Sequence, residues 1–325
     1  MSGILNDGIF TATAPLRIPI AGGGTDLPEY SEAHGGYWLS LSIDKNINVV
    51  LHKNFENTFF IHYKNSEKCQ KIDEINHPII REMLKDFNIN EALSVHSISE
   101  VAGNSGLGSS STFALCLTKV LSKISNSYIS NLPEYVYNFE RNVLQEFVGR
   151  QDAWAGNCGG LKVYSCSPEG FMDVSNLIGN NDLINLSEHL LLVKAGKQRF
   201  ANEILKKQAA HLKVDQEFID KFHRTKELAY QITDLIKASD ITGFGLLVDK
   251  HWQNKLSAFK NAFDPEVFEV YDELKKADCV GAKLCGAGNS GYMLAIFPSQ
   301  NHLNNFILNT KHTYIKVKPD FIGLR

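Results

Sequence analysis

The sequence predicts a two-domain α+β protein on three observations. The chain's 325 residues exceed the size at which one hydrophobic core keeps growing, so two packed domains are expected. Strand-like and helix-like stretches mix without strict alternation, which argues for α+β over a doubly wound sheet. Three glycine-rich segments, at 22–24, 103–108 and 286–291, punctuate the chain.

The elements follow in order. Ile47, Val49 and Leu51, then Phe59, Ile61 and Tyr63, alternate with polar residues as half-buried strands do. After the second glycine segment, Phe113, Cys116, Leu117, Val120, Leu121 and Ile124 fall at helical spacing, with the serines 109–111 available as caps. A second helix is expected over about 132–147, leading into Gly149–Arg150–Gln151–Asp152, and a strand at Leu190–Val193. The polar stretch Gly179–Asn180–Asn181–Asp182 is the expected boundary, giving domains of 1–182 and 183–325. Helices are expected near 200–211, 216–238, 242–260 and 265–277, the last opened by Asp264–Pro265. The final glycine segment runs into an apolar strand, Tyr292–Phe297.

Composition narrows the function classes. Hydrophobic content of 43% and charged content of 21% are ordinary for a globular protein, and no run approaches a membrane span of about 20 apolar residues. The start MSGILNDGIF shows no basic region followed by an apolar core, so a cytoplasmic protein with no membrane partner is expected. A net charge of −3 with interleaved signs disfavours nucleic-acid binding and points to small-molecule partners, for a monomer or homodimer. The six cysteines form no Cys-x-x-Cys pair and read as reduced thiols, and no histidine pair has zinc spacing.

Chemistry concentrates in the glycine segments. Gly103–Asn104–Ser105–Gly106–Leu107–Gly108–Ser109–Ser110–Ser111 keeps the P-loop spacing of two glycines before a hydroxyl residue, with Ser109 where the lysine would stand. Glycines admit phosphate oxygens to backbone N–H groups and the following helix offers its positive end, so a triphosphate can be held without lysine. Ser109 or Ser110 is then placed for phosphate or magnesium. Asp26, beyond the turn Gly22–Gly23–Gly24–Thr25, is placed to accept hydrogen bonds from substrate hydroxyls, and Arg17 to neutralise a transferred phosphoryl group. A plain turn capped by Asp26 is the alternative.

These segments resemble the GHMP kinases, named for galactokinase, homoserine kinase, mevalonate kinase and phosphomevalonate kinase, along nearly the whole chain. The likeness rests on Ala14–Pro15–Leu16–Arg17, Gly22–Asp26, the core Gly106–Leu107–Gly108–Ser109–Ser110, Gly149–Arg150–Gln151–Asp152–Ala153 and Gly281–Gly291. It departs from the family at Ala102–Gly103–Asn104, where proline and glycine are usual, and at Gly23–Gly24, where galactokinases carry Glu-His and which makes galactose an unexpected substrate. The resemblance implies a ribosomal-protein-S5-like N-terminal domain, a ferredoxin-like C-terminal domain, and ATP with Mg²⁺. It implies Asp152 as general base beside the cation Arg17, and Gly286, Ala287 and Gly288 as a loop closing over the phosphates and substrate. It also implies a magnesium site at Ser110 and Glu140, although a helix-surface role for Glu140 stays open.

Within the family the wording is nearest to bacterial D-glycero-D-manno-heptose 7-phosphate kinases, except that Asn289–Ser290 replaces two glycines of the last loop. That resemblance adds a sugar-phosphate partner, with Gly23, Gly24, Thr25, Asp26, Asp152, Lys197, Arg199 and Lys255 expected near it. It implies phosphorylation of the anomeric hydroxyl, feeding nucleotide-activated heptose synthesis. A kinase for another sugar such as L-fucose, a non-catalytic sensor on the same fold, and an RNA-binding protein are the alternatives weighed.

Overall fold

The computed structural model describes residues 6–196, 206, 209–212, 214–259 and 263–325. Two sheets carry the fold. The first holds β1 (Ile9–Ala21), β2 (Gly36–Lys53), β3 (Phe59–His62), β4 (Ser66–Cys69), β5 (Leu93–Ser99), β6 (Leu161–Cys166) and β7 (Met172–Asn176). Strand β2 is its axis. Along one edge it pairs with β1 throughout, and along the other with β6 through residues 36–41 and with β5 through 47–53.

The alternation of Ala12, Ala14, Leu16, Ile18 and Ile20 buries one face of β1 in the core, and the same period puts Arg17 on the opposite face. Register shifts fall between Pro15 and Arg17 and between Pro19 and Ala21. Proline cannot donate to the ladder, so the strand bulges at both places. Each bulge aims backbone at the region where the glycine segments meet.

Helices α1 (Pro28–His34), α2 (Pro78–Asp86), α3 (Ser109–Ile124), α4 (Leu132–Asn138) and α5 (Gln151–Cys158) complete this half. The spacing of apolar residues located α3, which lies on β1 and β2 and packs against α4 and α5. Two expectations need correction. The serines 109–111 are not caps but the first turn itself, and the cap is Gly108 at φ 78°. The helix expected over 132–147 stops at Asn138, runs through a π-helical turn at Phe139–Val143, and gives way to irregular backbone before α5. The widened turn carries Glu140 inward, and such turns recur at functional sites.

The stretch expected as a boundary opens α6 (Asn180–Ser187), which delivers the chain to the second sheet. That sheet is antiparallel, of β8 (Leu190–Ala195), β9 (Gly281–Leu284), β10 (Gly291–Ile296) and β11 (Tyr314–Lys316), in the order β11-β8-β10-β9. Helices α7 (Gln216–Lys237), α8 (Ile241–Ala258), α9 (Pro265–Lys276) and α10 (Gln300–Asn309) cover it. The order fourth-first-third-second with intervening helices is the ferredoxin-like arrangement, and with the first sheet it makes the two-domain α+β fold expected from the sequence. The region near 200–211 lies mostly outside the described residues.

Leu191 and Val193 pack with Val267, Val270 and Leu274 of α9, while Leu190 and Leu192 join Ala229, Ile232 and Ile236 of α7 in the cluster shared with the first sheet. Burial on both faces explains why β8 and β10 read as unbroken apolar runs. Residues 319–325 then return to the first sheet. Thr13 and Arg325 exchange backbone hydrogen bonds at 2.9 Å, and Asp320 is fixed between Ser42 and Gly160.

Asp320 is buried, accepts from the N–H groups of Ile322 and Gly323 at 3.0 and 2.8 Å, and meets the Arg325 guanidinium at 2.9 Å. Replacing it with alanine leaves those donors unmatched. Asp320→Ala is expected to lower stability by about 1–3 kcal/mol, read from the urea midpoint at unchanged slope.

Candidate active site

The three glycine segments meet in one cleft between the two sheets, of about 220 Å³. Its floor is the start of α3. Gly108 offers no side chain to cap the helix, so the first-turn N–H groups are left for a ligand, and the helix dipole favours an anion there. Asn104, Gly106, Gly108, Ser109 and Ser110 line the cleft, whereas Gly103, Ser105, Leu107 and Ser111 do not. Leu107 is core, and Ser105 is buried with a hydroxyl that has no hydrogen-bond partner.

Backbone contact fixes how the loops approach one another. A Cβ on Gly106, at φ 78°, would stand 2.4 Å from the Cys285 carbonyl oxygen, and one on Gly286 would stand 2.8 Å from the Gly106 Cα. The Tyr292 N–H donates to the Ser105 carbonyl at 3.1 Å. The first and second domains thus touch glycine to glycine, with Gly286, Ala287 and Gly288 on the cleft wall.

Arg17 joins the parts. Its Nε donates to Asp152 Oδ1 at 2.9 Å, Nη2 also bonds that oxygen, and Nη1 donates to the Gly106 carbonyl at 2.6 Å. Arg17 is 4% exposed and Asp152 32%, so the guanidinium is held inside while the carboxylate faces the opening. Asp152 sits in the first turn of α5, whose N-terminus Asp26 caps by accepting from the Gln151 N–H at 2.9 Å.

Asp26 therefore caps its own turn, the alternative weighed for it, and in addition holds the start of α5. Its two oxygens accept from Gln151 and from Gly24 at 3.0 Å, and a Cβ on Gly149 would lie 2.0 Å from its carboxylate. Burial raises its carboxyl above the usual range, the Gln151 bond opposes that, and the charge of Asp152 adds to it. It lines the cleft, so the remaining lone pairs stay open to a hydroxyl. Gly23 also lines the cleft; Gly24 and Thr25 do not. Gly24 lies against the Phe222 ring, and the buried Thr25 hydroxyl donates to the Gly22 carbonyl at 2.7 Å and accepts from the Tyr37 N–H at 3.1 Å. Those two residues, expected near the sugar, shape the loop instead.

Glu140 is 1% exposed, and both its oxygens accept from the hydroxyl of Ser111, at 2.9 and 2.8 Å. The serine paired with Glu140 is thus Ser111, with Ser110 exposed at the cleft surface; the helical phase of 109–111 inside the first turn makes the difference. Burial lifts the Glu140 carboxyl well above its ordinary range. A buried carboxylate beside the Ser111 hydroxyl, paired with no cation among the described residues, is a donor set that fits a hard divalent ion.

On the wall from the second domain, sequence reasoning placed Lys255 near the sugar phosphate but gave Lys283 no role. Lys283 of β9 is buried and donates to the Pro19 and Ile20 carbonyls at 2.8 and 3.1 Å, and Lys255 of α8 donates to the Gly286 carbonyl at 2.6 Å. His251 is buried and accepts from the Gly22 N–H at 3.3 Å, its protonation suppressed by burial and by the neighbouring charges of Lys283 and Lys255. A lysine within the apolar run Gly281–Leu284 was the available signal, since lysine is almost never fully buried without a role. Lys197 and Arg199, expected at the sugar phosphate, lie outside the described residues.

Known proteins resemble this chain over most of its length. No family model matches it. The D-glycero-alpha-D-manno-heptose 7-phosphate kinase of Campylobacter jejuni is 25% identical over 86% of each chain. The bifunctional fucokinase/GDP-fucose pyrophosphorylase of Arabidopsis thaliana is 26% identical over 87% of this chain and 29% of its own length. Among solved structures, a D-glycero-D-manno-heptose 1-phosphate kinase from Bacteroides thetaiotaomicron superposes with a TM-score of 0.78 at 18% identity, covering 98% of both chains. The Lactococcus lactis galactokinase gives 0.71 at 16% identity, covering 97% of this chain and 94% of its own.

Gly106→Ala is expected to force the two loops apart and weaken nucleotide binding by about tenfold or more, the equivalent of about 1–3 kcal/mol of backbone strain. Titration with a fluorescent ATP analogue reads it.

Proposed function

We propose that this chain is a kinase of the GHMP type that transfers the terminal phosphoryl group of ATP to the anomeric hydroxyl of D-glycero-D-manno-heptose 7-phosphate, giving the 1,7-bisphosphate for nucleotide-activated heptose. It is an ATP-dependent phosphotransferase of the sugar-kinase type. The observation that carries the reading is the Arg17–Asp152 pair, set across the uncapped N-terminus of α3 in one cleft.

The chain's own residues supply most of what such a transfer needs. The α3 N-terminus and the Ser109 and Ser110 hydroxyls hold the triphosphate oxygens. Asp152, exposed to the cleft, accepts the proton of the attacking hydroxyl, and Arg17 balances charge on both the carboxylate and the phosphoryl group. Asp26 and the Gly23 backbone orient the sugar. Magnesium, held by Ser111, Ser110 and Glu140, would offset charge on the phosphate oxygens.

The choice of acceptor rests on the Campylobacter relative and on the two lysines of the cleft wall, which suit a phosphorylated sugar better than a neutral one. The fucokinase relatives favour a second reading, a kinase for unphosphorylated L-fucose. Coupled assays with heptose 7-phosphate, mannose 6-phosphate, L-fucose and D-mannose separate the two. Turnover of L-fucose alone removes the heptose reading.

Two outcomes test the machinery. Asp152→Asn is expected to cut kcat by about 10²–10⁴-fold with ATP affinity within a factor of two of wild type. Near-normal turnover in that variant would remove Asp152 as base. Glu140→Gln is expected to raise the magnesium concentration needed for half-maximal rate by about tenfold or more, with the acceptor KM unmoved.

A further inference from the structure

The cleft wall formed by the second domain holds two lysine amino groups that pair with no carboxylate among the described residues. Lys283 spends two of its three N–H groups on the carbonyls of Pro19 and Ile20, and Lys255 spends one on Gly286. Neither meets a carboxylate among the described residues. Pro19 and Ile20 stand at the β1 bulge, where the ladder to β2 breaks register, so their carbonyls are turned to another donor. That bulge leads directly to Gly23 and Asp26, which puts Lys283 on the acceptor side of the cleft. The triphosphate has its own place at the α3 N-terminus.

The charges around the pair come from every element that packs there. From β1 comes Arg17, already committed to Asp152 and Gly106; from the following loop comes Asp26, committed to two backbone donors. Lys221 of α7 lines the cleft and pairs with Glu217, and His251 of α8 stands between the lysines and the Gly22 backbone. The Cys285 thiol, buried beyond β9, is pushed up by burial and carries no charge to offset them. Any charge the two lysines carry is therefore unmatched by a paired carboxylate on this wall among the described residues.

We propose that Lys255 and Lys283 form a seat for a phosphate group on the acceptor, separate from the nucleotide phosphates, and that filling it charges the two lysines by uptake of protons from solvent. The inference rests on the reading of the chain as a kinase for a phosphorylated sugar. Burial brings the Lys283 ammonium down to about 7, with the charges of Lys255 and Arg17 adding to it, and burial brings Lys255 to about 8. The sign follows. Burial disfavours the charged form of both lysines in the free protein at pH 8, and an incoming phosphate dianion stabilises that form, so each lysine gains proton occupancy on binding.

Calorimetry of the whole chain at pH 8, in buffers of different ionisation enthalpy, counts those protons. Heptose 7-phosphate is expected to bind with uptake of about one proton, and D-mannose, which lacks the phosphate, at least about tenfold more weakly with none. Lys283→Arg keeps a charge at every accessible pH, so it is expected to retain binding while the uptake falls by half or more. Binding of heptose 7-phosphate with heat independent of buffer overturns the inference, and so does equal uptake with Mg-ADP alone, which would assign the seat to the nucleotide. Should Lys283→Arg not fold, the wild-type measurement decides by itself. Turnover assays keep the two readings apart: uptake and turnover with mannose 6-phosphate in place of the heptose support the seat and remove the sugar, whereas turnover of L-fucose with no proton-linked sugar phosphate removes the seat and leaves a kinase.

Discussion

The Arg17 guanidinium is the point at which the site is tied together. One face of it holds the carboxylate of Asp152, and a remaining N–H holds the Gly106 carbonyl at the crest of the phosphate loop. Its position depends on the local alternation Leu16–Arg17–Ile18, which sends Leu16 and Ile18 to the core and Arg17 to the other face. The bonds are worth most because the guanidinium is buried, while the Asp152 carboxylate faces the opening. From this one residue the strand, the loop and the helix bearing Asp152 acquire a common geometry.

Around it the fold solves a recurring problem, how to bring three backbone segments into contact without side chains between them. Gly106, Gly286 and Gly291 do this at the meeting of the domains, where a Cβ on Gly291 would come within 2.5 Å of the Ser105 carbonyl. Elsewhere polar groups make the join: His251 to the Gly22 N–H, Lys283 to the β1 carbonyls. The apolar cluster running from the first sheet through α7 to β8 supplies the bulk of the packing. The polar ties then set the spacing of the cleft.

Much of this was legible in the sequence, and the parts that were not share a cause. Local patterns gave β2, β3, α3, α9 and β10, because period and capping residues are written in neighbouring positions. The glycine segments marked the cleft for the same reason. The π-helical turn was hidden, since widening a helix by one residue depends on burying Glu140 against Ser111, 29 positions away. The structural duty of Asp26 rests on Gln151, 125 positions along, and that of Lys283 on Pro19, 264 positions back. A spacing rule reads what a residue can do, and long-range contacts decide which use is made of it. Thr25 shows the limit: its hydroxyl looked available to a sugar, and the turn consumed it.

The return of residues 319–325 to the first sheet carries a consequence for how the molecule is made. Thr13, near the start of β1, waits for Arg325 before the outer edge of that strand is covered, and Ser42 and Gly160 wait for Asp320. During synthesis on the ribosome the first domain is therefore exposed along that edge until the second domain has been translated. The whole of the lysine-bearing wall emerges in that interval. The contact with residues 319–325 thus covers the start of β1 only after the second sheet has been made.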